Sequence, residues 1–213
     1  LIENFDGKTA EIMGDNEGIG NMMGKYLLNY FAEDLKAGKT ITYLLFIGDS
    51  STVSKQRTQG MLDVINATEY KDQFVLLQDG FQTDWSNAKA QEYMENWLTT
   101  ADAATIADLD MIVTHDDEIV DGIMSVINGN TELTDLRIIT SVGGRRETLS
   151  TFDNIEKPEL LTYFFSPSYI REALRLAVAA AKGETYQDQT INGQLFLVPT
   201  IEIDKSTVEA FRN

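Results

Sequence analysis

The 213-residue chain has no cysteine, which excludes disulfides, thiolate metal sites and thiol nucleophiles together and fits a reducing or an oxidising compartment equally well. Basic residues are scarce, 17 against 34 acidic ones, for a formal net charge of −17. That balance opposes the attraction on which sequence-independent nucleic-acid binding depends, so nucleic acid and anionic membrane surfaces are not expected partners. Long apolar runs are missing too, and no stretch approaches the length of a membrane span. The opening residues, Leu1-Ile2-Glu3-Asn4-Phe5-Asp6, are neither a start methionine nor a charged-then-apolar export signal, so a mature or truncated product is expected. There are no repeats, coiled-coil heptads or low-complexity tracts.

What is present, 43% hydrophobic and 24% charged positions, is enough to build a sizeable core in one large domain or two small ones. Ile19, Met22, Met23, Tyr26, Leu27, Tyr30 and Phe31 recur at three- and four-residue spacings, which predicts an amphipathic helix ending near Gly38. The β-branched and aromatic run Thr40–Ile47 then stops at Gly48-Asp49-Ser50-Ser51, as a buried strand meeting a turn does. A helix from Val53 to Asn66 follows.

The alternation continues through a strand at Phe74–Leu77, a helix with Ala90, Tyr93, Met94, Trp97 and Leu98 on one face, and a strand at Met111–Val113. Next come a helix over Ile119–Ile127, a strand at Leu136–Thr140, a helix near Glu147 and a strand at Leu161–Phe165. A helix carrying Ile170, Ala173, Leu174, Ala177, Val178 and Ala181, closed by Gly183, precedes a last strand at Leu195–Val198. Strands that are continuous apolar runs and take turns with helices predict an α/β fold, a parallel sheet covered by helices on both faces. In such sheets ligands sit beyond the carboxyl ends of the strands, where loops enter helix N-termini. That places attention on Asp49–Arg57, Gly80–Trp85, Thr114–Glu118, Ser141–Arg146 and Phe164–Pro167.

Those loops carry a family resemblance. Gly14-Asp15-Asn16 before the first helix, Arg57-Thr58-Gln59-Gly60 in the second, and Trp85 followed by the Ala90-to-Leu98 pattern resemble galactose/glucose-binding proteins. Asp116-Asp117-Glu118 with Gly122 is similar to that family's Asn-Asp-(Glu/Ala) motif, and Val198–Lys205 to its closing Val-Pro segment. The chain thus resembles periplasmic, type I sugar-binding proteins of ABC transporters, of the galactose- and ribose-binding type. The resemblance implies two similar αβα lobes joined by three crossings that close around a sugar. By that template residues 1–165, completed by 201–213, form the second lobe, residues 166–200 belong to the first, and most of the first lobe is absent. The apolar face of the Ile170–Ala181 helix then needs a covering surface: another copy, a first lobe from a separate chain, or packing outside the family manner.

The resemblance also implies site roles. Arg57 would donate to sugar oxygens, against the plainer reading of a solvated arginine at a helix start. Trp85 would be the aromatic platform under a pyranose, against a cap on the core beside Trp97. Asp116 stands where the family has a ligand-binding asparagine and would accept sugar hydroxyls, while Asp117 and Glu118 would serve the helix N-terminus. Gly143 stands in place of an acidic sugar clamp, and Phe164 or Phe165, depending on alignment, in place of a polar residue, so plain hexose binding in the family manner is not expected. His115 reads as a polar edge residue, since one histidine beside three acids has neither nucleophile nor metal-ligand spacing. Arg145 and Arg146 after two glycines would attract an anionic sugar, or be solvated residues of a flexible turn, the favoured reading. Asp34–Thr40, with one carboxylate and two lysines, cannot supply a calcium site; no metal or cofactor is expected.

The function implied is that of an extracytoplasmic, non-enzymatic component, soluble in the periplasm or held on the outer membrane face as a lipoprotein. It would bind a sugar or a modified or anionic sugar and deliver it to an ABC permease. The alternatives are the effector domain of a LacI-type regulator and the extracellular sensor of a signalling receptor.

Overall fold

A computed structural model describes residues 11–153, 155–184 and 195–211. The parts of the lobe assignments that fall on residues 1–10, 185–194 and 212–213 lie outside the described residues. The chain divides into two compact units. Of the described residues, 16–164 and 201–211 form the larger, and 11–15, 165–184 and 195–200 the smaller. The sequence predicts one run from residue 1 to 165; in the structure residues 11–15 group instead with the 165–200 segment, because β1 (Glu11–Gly14) pairs with β8 (Leu195–Val198).

The larger unit is a seven-stranded sheet between helices. Its strands are β2 (Ile41–Ile47), β3 (Phe74–Leu76), β4 (Phe81–Gln82), β5 (Met111–Thr114), β6 (Ile138–Gly143), β7 (Glu159–Phe164) and β9 (Glu202–Ile203), in the order β3-β2-β5-β6-β7-β9 with β4 also on β2. Every pairing is parallel except β7 with β9. The predicted α/β sheet is thus present, with an antiparallel edge strand that no two-residue pattern could announce. Alternate side chains point to opposite faces. Leu44, Phe46, Ile112 and Ile139 belong to one buried cluster with Ala90, Met94 and Trp97 of α4 (Asn87–Thr100) and Ile119, Val120 and Ile123 of α6 (Asp117–Ile127). Their neighbours Tyr43, Leu45, Met111, Val113 and Ile138 are buried as well, as expected of strands covered on both sides.

On the other helical layer α1 (Asn16–Tyr30) packs against α3 (Thr52–Asn66). Gly20 and Gly60 make that contact close: a Cβ on Gly20 would overlap the Arg57 carbonyl, and one on Gly60 would lie 2.5 Å from the Glu17 carbonyl. The short helices α2 (Ala32–Lys36) and α5 (Ala103–Ala107) were not visible as periodic patterns, and five residues are too few to show one. The strand expected at Leu136–Thr140 starts later and runs on to Gly143, because its ladder with β7 continues to Gly143 opposite Phe164. It is followed by α7 (Arg146–Thr151).

The smaller unit holds the parallel β1–β8 pair, a short 3-10 turn at Pro167–Tyr169 and α8 (Ile170–Lys182), closed by Gly183 at φ +74°. Gly183 takes the left-handed conformation that ends helices at little steric cost.

Candidate functional site

The carboxyl ends of the larger unit's strands gather the site, and Arg57 is its centre. The guanidinium is 3% exposed; Nε donates to Asn16 Oδ1 at 2.9 Å and Nη1 to the His115 carbonyl at 2.5 Å. The Asn16 amide oxygen and the His115 carbonyl are both neutral acceptors. The solvated-arginine reading fails, because α1 and the loop after β5 close over the side chain.

Trp85 stands beside it, with the Arg57 Cζ 5.8 Å from the ring centroid, within the range of a cation–π contact. The indole lies against Gly48, where any side chain would overlap it. Its N–H joins the Ser51 and Ser54 groups in bonding the Asp49 carboxylate, and these bonds, those of Ser51 foremost, hold Asp49 below the usual carboxylate range. Asp84 and Trp85 both have positive φ, 50° and 60°, a conformation uncommon outside glycine and one that concentrates at functional sites.

Asp116 caps α6, its Oδ1 accepting the Glu118 N–H at 2.9 Å. Burial raises its pKa, with the Arg57 charge acting the other way. The capping role expected of Asp117 and Glu118 therefore belongs to Asp116. Asp117 turns away from the helix to accept from the Ser141 hydroxyl at 2.5 Å, the Arg145 main-chain N–H at 2.6 Å and the Thr162 hydroxyl at 3.3 Å. Glu118 pairs with the Arg145 guanidinium, which also lies 3.7 Å from Asp121. Arg145 is thus paired with carboxylates while its side chain stays 39% exposed, and Arg146 is exposed.

His115 is an interior residue, not an edge one: it is 1% exposed, with Nε2 3.1 Å from the Thr58 hydroxyl and Nδ1 without a hydrogen-bond partner. Burial, and secondarily the Arg57 charge, push its pKa down to about 3, so the ring is neutral at physiological pH.

Arg57 and Trp85 therefore come together, Asp116 lies near enough to feel the Arg57 charge, and Gly143 adjoins the Asp117 carboxylate. Phe165 belongs to the smaller unit, where its ring covers Gly14 and meets Tyr169 edge-on at 5.2 Å. Phe164 ends β7 in the larger unit, its N–H donating to the Ile201 carbonyl at 2.8 Å. Sequence reasoning does not assign Asn16, Asp49 or Thr58 a site role, although Asn16 and Thr58 stand in the family-like motifs and Asp49 opens one of the loops beyond the strand ends. A cavity of about 710 Å³ is lined by Asp49, Ser54, Gln56 and Thr58 among others, and not by Arg57, Trp85 or Asp116. Another, of about 510 Å³ between α7, β7 and β9, touches none of the candidate residues. Among the described residues no group of three or more His, Cys, Asp or Glu is placed to hold a metal ion, and no helix is long and apolar enough to cross a membrane.

Residues 6–185 match the family model of the periplasmic binding protein domain. The chain belongs to that family. Solved structures show the same fold at low identity. A Mycobacterium smegmatis protein in complex with β-D-fucofuranose superposes with a TM-score of 0.74 at 16% identity, over 99% of this chain and 63% of that one. An ABC transporter solute-binding protein from Bacillus halodurans with bound myo-inositol gives 0.72 at 18%, over 98% and 66%. The fructose-binding periplasmic domain of a hybrid two-component system gives 0.72 at 18%, over 98% and 63%. This family member therefore spans less than two thirds of the length of these relatives. No curated protein matches its sequence.

Proposed function

We propose that this chain is part of an extracytoplasmic solute-binding component of an ABC transporter, which binds a sugar or sugar derivative and passes it unchanged to a membrane permease. The observation that carries the reading is the Arg57–Trp85 pair, a buried guanidinium 3% exposed and 5.8 Å from an indole held in a left-handed turn. A sugar ring offers hydroxyls that want charged or polar partners and a C–H face that wants an aromatic surface. Arg57 and Asp116 would supply the charged partners and Trp85 the aromatic surface. The larger unit would be most of the second lobe and the smaller unit a part of the first.

Native mass spectrometry of the full-length protein, followed by calorimetry with the retained ligand, tests this. Arg57→Lys and Trp85→Ala should each weaken binding by about tenfold to a hundredfold, the loss expected for one charge-assisted bond or one stacking face. Binding of sugars that survives both changes, or a protein that retains and binds none, would sink the reading. A second reading, a ligand-sensing receptor domain, is favoured by one observation, the equally good superposition on a two-component sensor domain. A membrane span following residue 213 in the gene would select it.

A further inference from the structure

Asp117 stands in the first turn of α6, yet its carboxylate serves three other elements. Oδ1 accepts from the hydroxyls of Ser141 on β6 and Thr162 on β7, and Oδ2 accepts the Arg145 N–H from the turn that leaves β6. The side chain is 1% exposed. The same Oδ2 lies 2.6 Å from the point where a Cβ on Gly143 would stand. Gly143 has φ +152°, and Gly144 after it φ +74°, so two consecutive residues hold conformations that favour glycine. One buried carboxylate therefore occupies the room of a side chain at position 143 and bonds the turn that makes such a side chain unwelcome.

We propose that Asp117 is a positioning residue that determines specificity at the carboxyl end of β6: it keeps position 143 free of a side chain, so that the ligand meets bare main chain there and no acid. The proposal rests on the ligand-site reading above. A carboxylate that already accepts three donors, in a residue 1% exposed, turns its acceptor sites to the protein and not to ligand hydroxyls. The ligand class that fits is a sugar or sugar derivative that directs a substituent or a C–H edge, rather than a donor hydroxyl, at β6.

A double-mutant cycle on the 213-residue chain tests the coupling. Gly143→Asp should lower the melting temperature by about 5 °C or more in the wild type, and by measurably less beside Asp117→Ser, where the space is vacated and only the cost of the φ of +152° remains. Equal costs in the two backgrounds overturn the proposal. Should Asp117→Ser fail to fold, Asp117→Asn keeps the volume, and Gly143→Ala must then cost as much as in the wild type. Relief of that cost overturns the volume argument.

Calorimetry with myo-inositol, D-allose and D-fructose reads specificity. The Asp117→Ser/Gly143→Asp protein should change the ratio of two of their Kd values by tenfold or more, or bind one that the wild type ignores. An unchanged set with unchanged ratios overturns the specificity role. In that event, binding lost in Arg57→Lys leaves the site standing and condemns Asp117 alone, whereas binding that survives Arg57→Lys condemns the site.

Discussion

In the larger unit α6 buries seven of its eleven residues, Asp117, Ile119, Val120, Gly122, Ile123, Met124 and Ile127, whereas α8 in the smaller unit buries Leu176 alone among thirteen. Both helices are strongly amphipathic in sequence, so composition does not separate them. The difference lies in what each has to pack on. α6 rests on a seven-stranded sheet and beside α4, where Gly122 comes close to the Asn87 carbonyl. Among the described residues α8 shares its unit with a two-stranded parallel pair, and parallel sheets are ordinarily stable only when broad and covered on both faces. Ile170, Leu174 and Val178, four residues apart along α8, are left 60%, 60% and 51% exposed. An amphipathic face alone predicts a helix; it does not say that its own unit will cover it.

The largest effect that could break this contrast is in the cores. Ile139→Ala should cost about 3–4 kcal/mol, because a fully buried side chain leaves a cavity that a rigid sheet cannot close. Leu176→Ala should cost about 1–2 kcal/mol, since the small unit around it can collapse. Equal costs in denaturant titrations would abolish the distinction between the units.

The next effect concerns the larger unit's ability to hold a neutral histidine. The folded pKa of His115, about 3, lies below its ordinary value of 6.5. Its contribution is therefore complete above pH 6.5 and is lost as pH falls from there towards 3, because the unfolded chain takes up the proton first. The stability difference between wild type and His115→Asn should shrink by about 1.4 kcal/mol per pH unit between pH 6 and 4. A difference that stays constant over that range would mean His115 is charged in the folded state.

The smallest effect is at the α8 surface. Leu174→Glu and Val178→Glu should each change the stability of the chain by less than about 0.5 kcal/mol, as exposed positions do. In light scattering the wild type should nevertheless self-associate or capture a separately made first lobe, and the double variant should do neither. A wild-type chain that does neither would mean that the exposed face has no partner.

Much of this was legible in the chain itself. Apolar runs such as Ile41–Ile47 announce buried strands, and the spacing of Ile19, Met23, Leu27 and Phe31 announces a helix, because both periods follow from local backbone geometry. Arg57 and Trp85 were singled out by the family resemblance of the motifs around them, and the structure places them side by side. His115 and Asp117 were not. The histidine looked like a polar edge and the aspartate like a helix cap, since burial and partners come from elements far apart in the sequence.

The residues by themselves therefore determined the α/β alternation, the parallel sheet, the acidic surface and the loops in which a site would lie. Tertiary structure alone decided that Asn16 and the His115 carbonyl hold Arg57, that Asp117 fills the room beside Gly143, and that β1 leaves the large sheet for β8. The reason is physical. Periodicity and turn chemistry act between residues a few positions apart, whereas the hydrogen bonds that fix these side chains join elements 24 to 58 positions apart in the sequence.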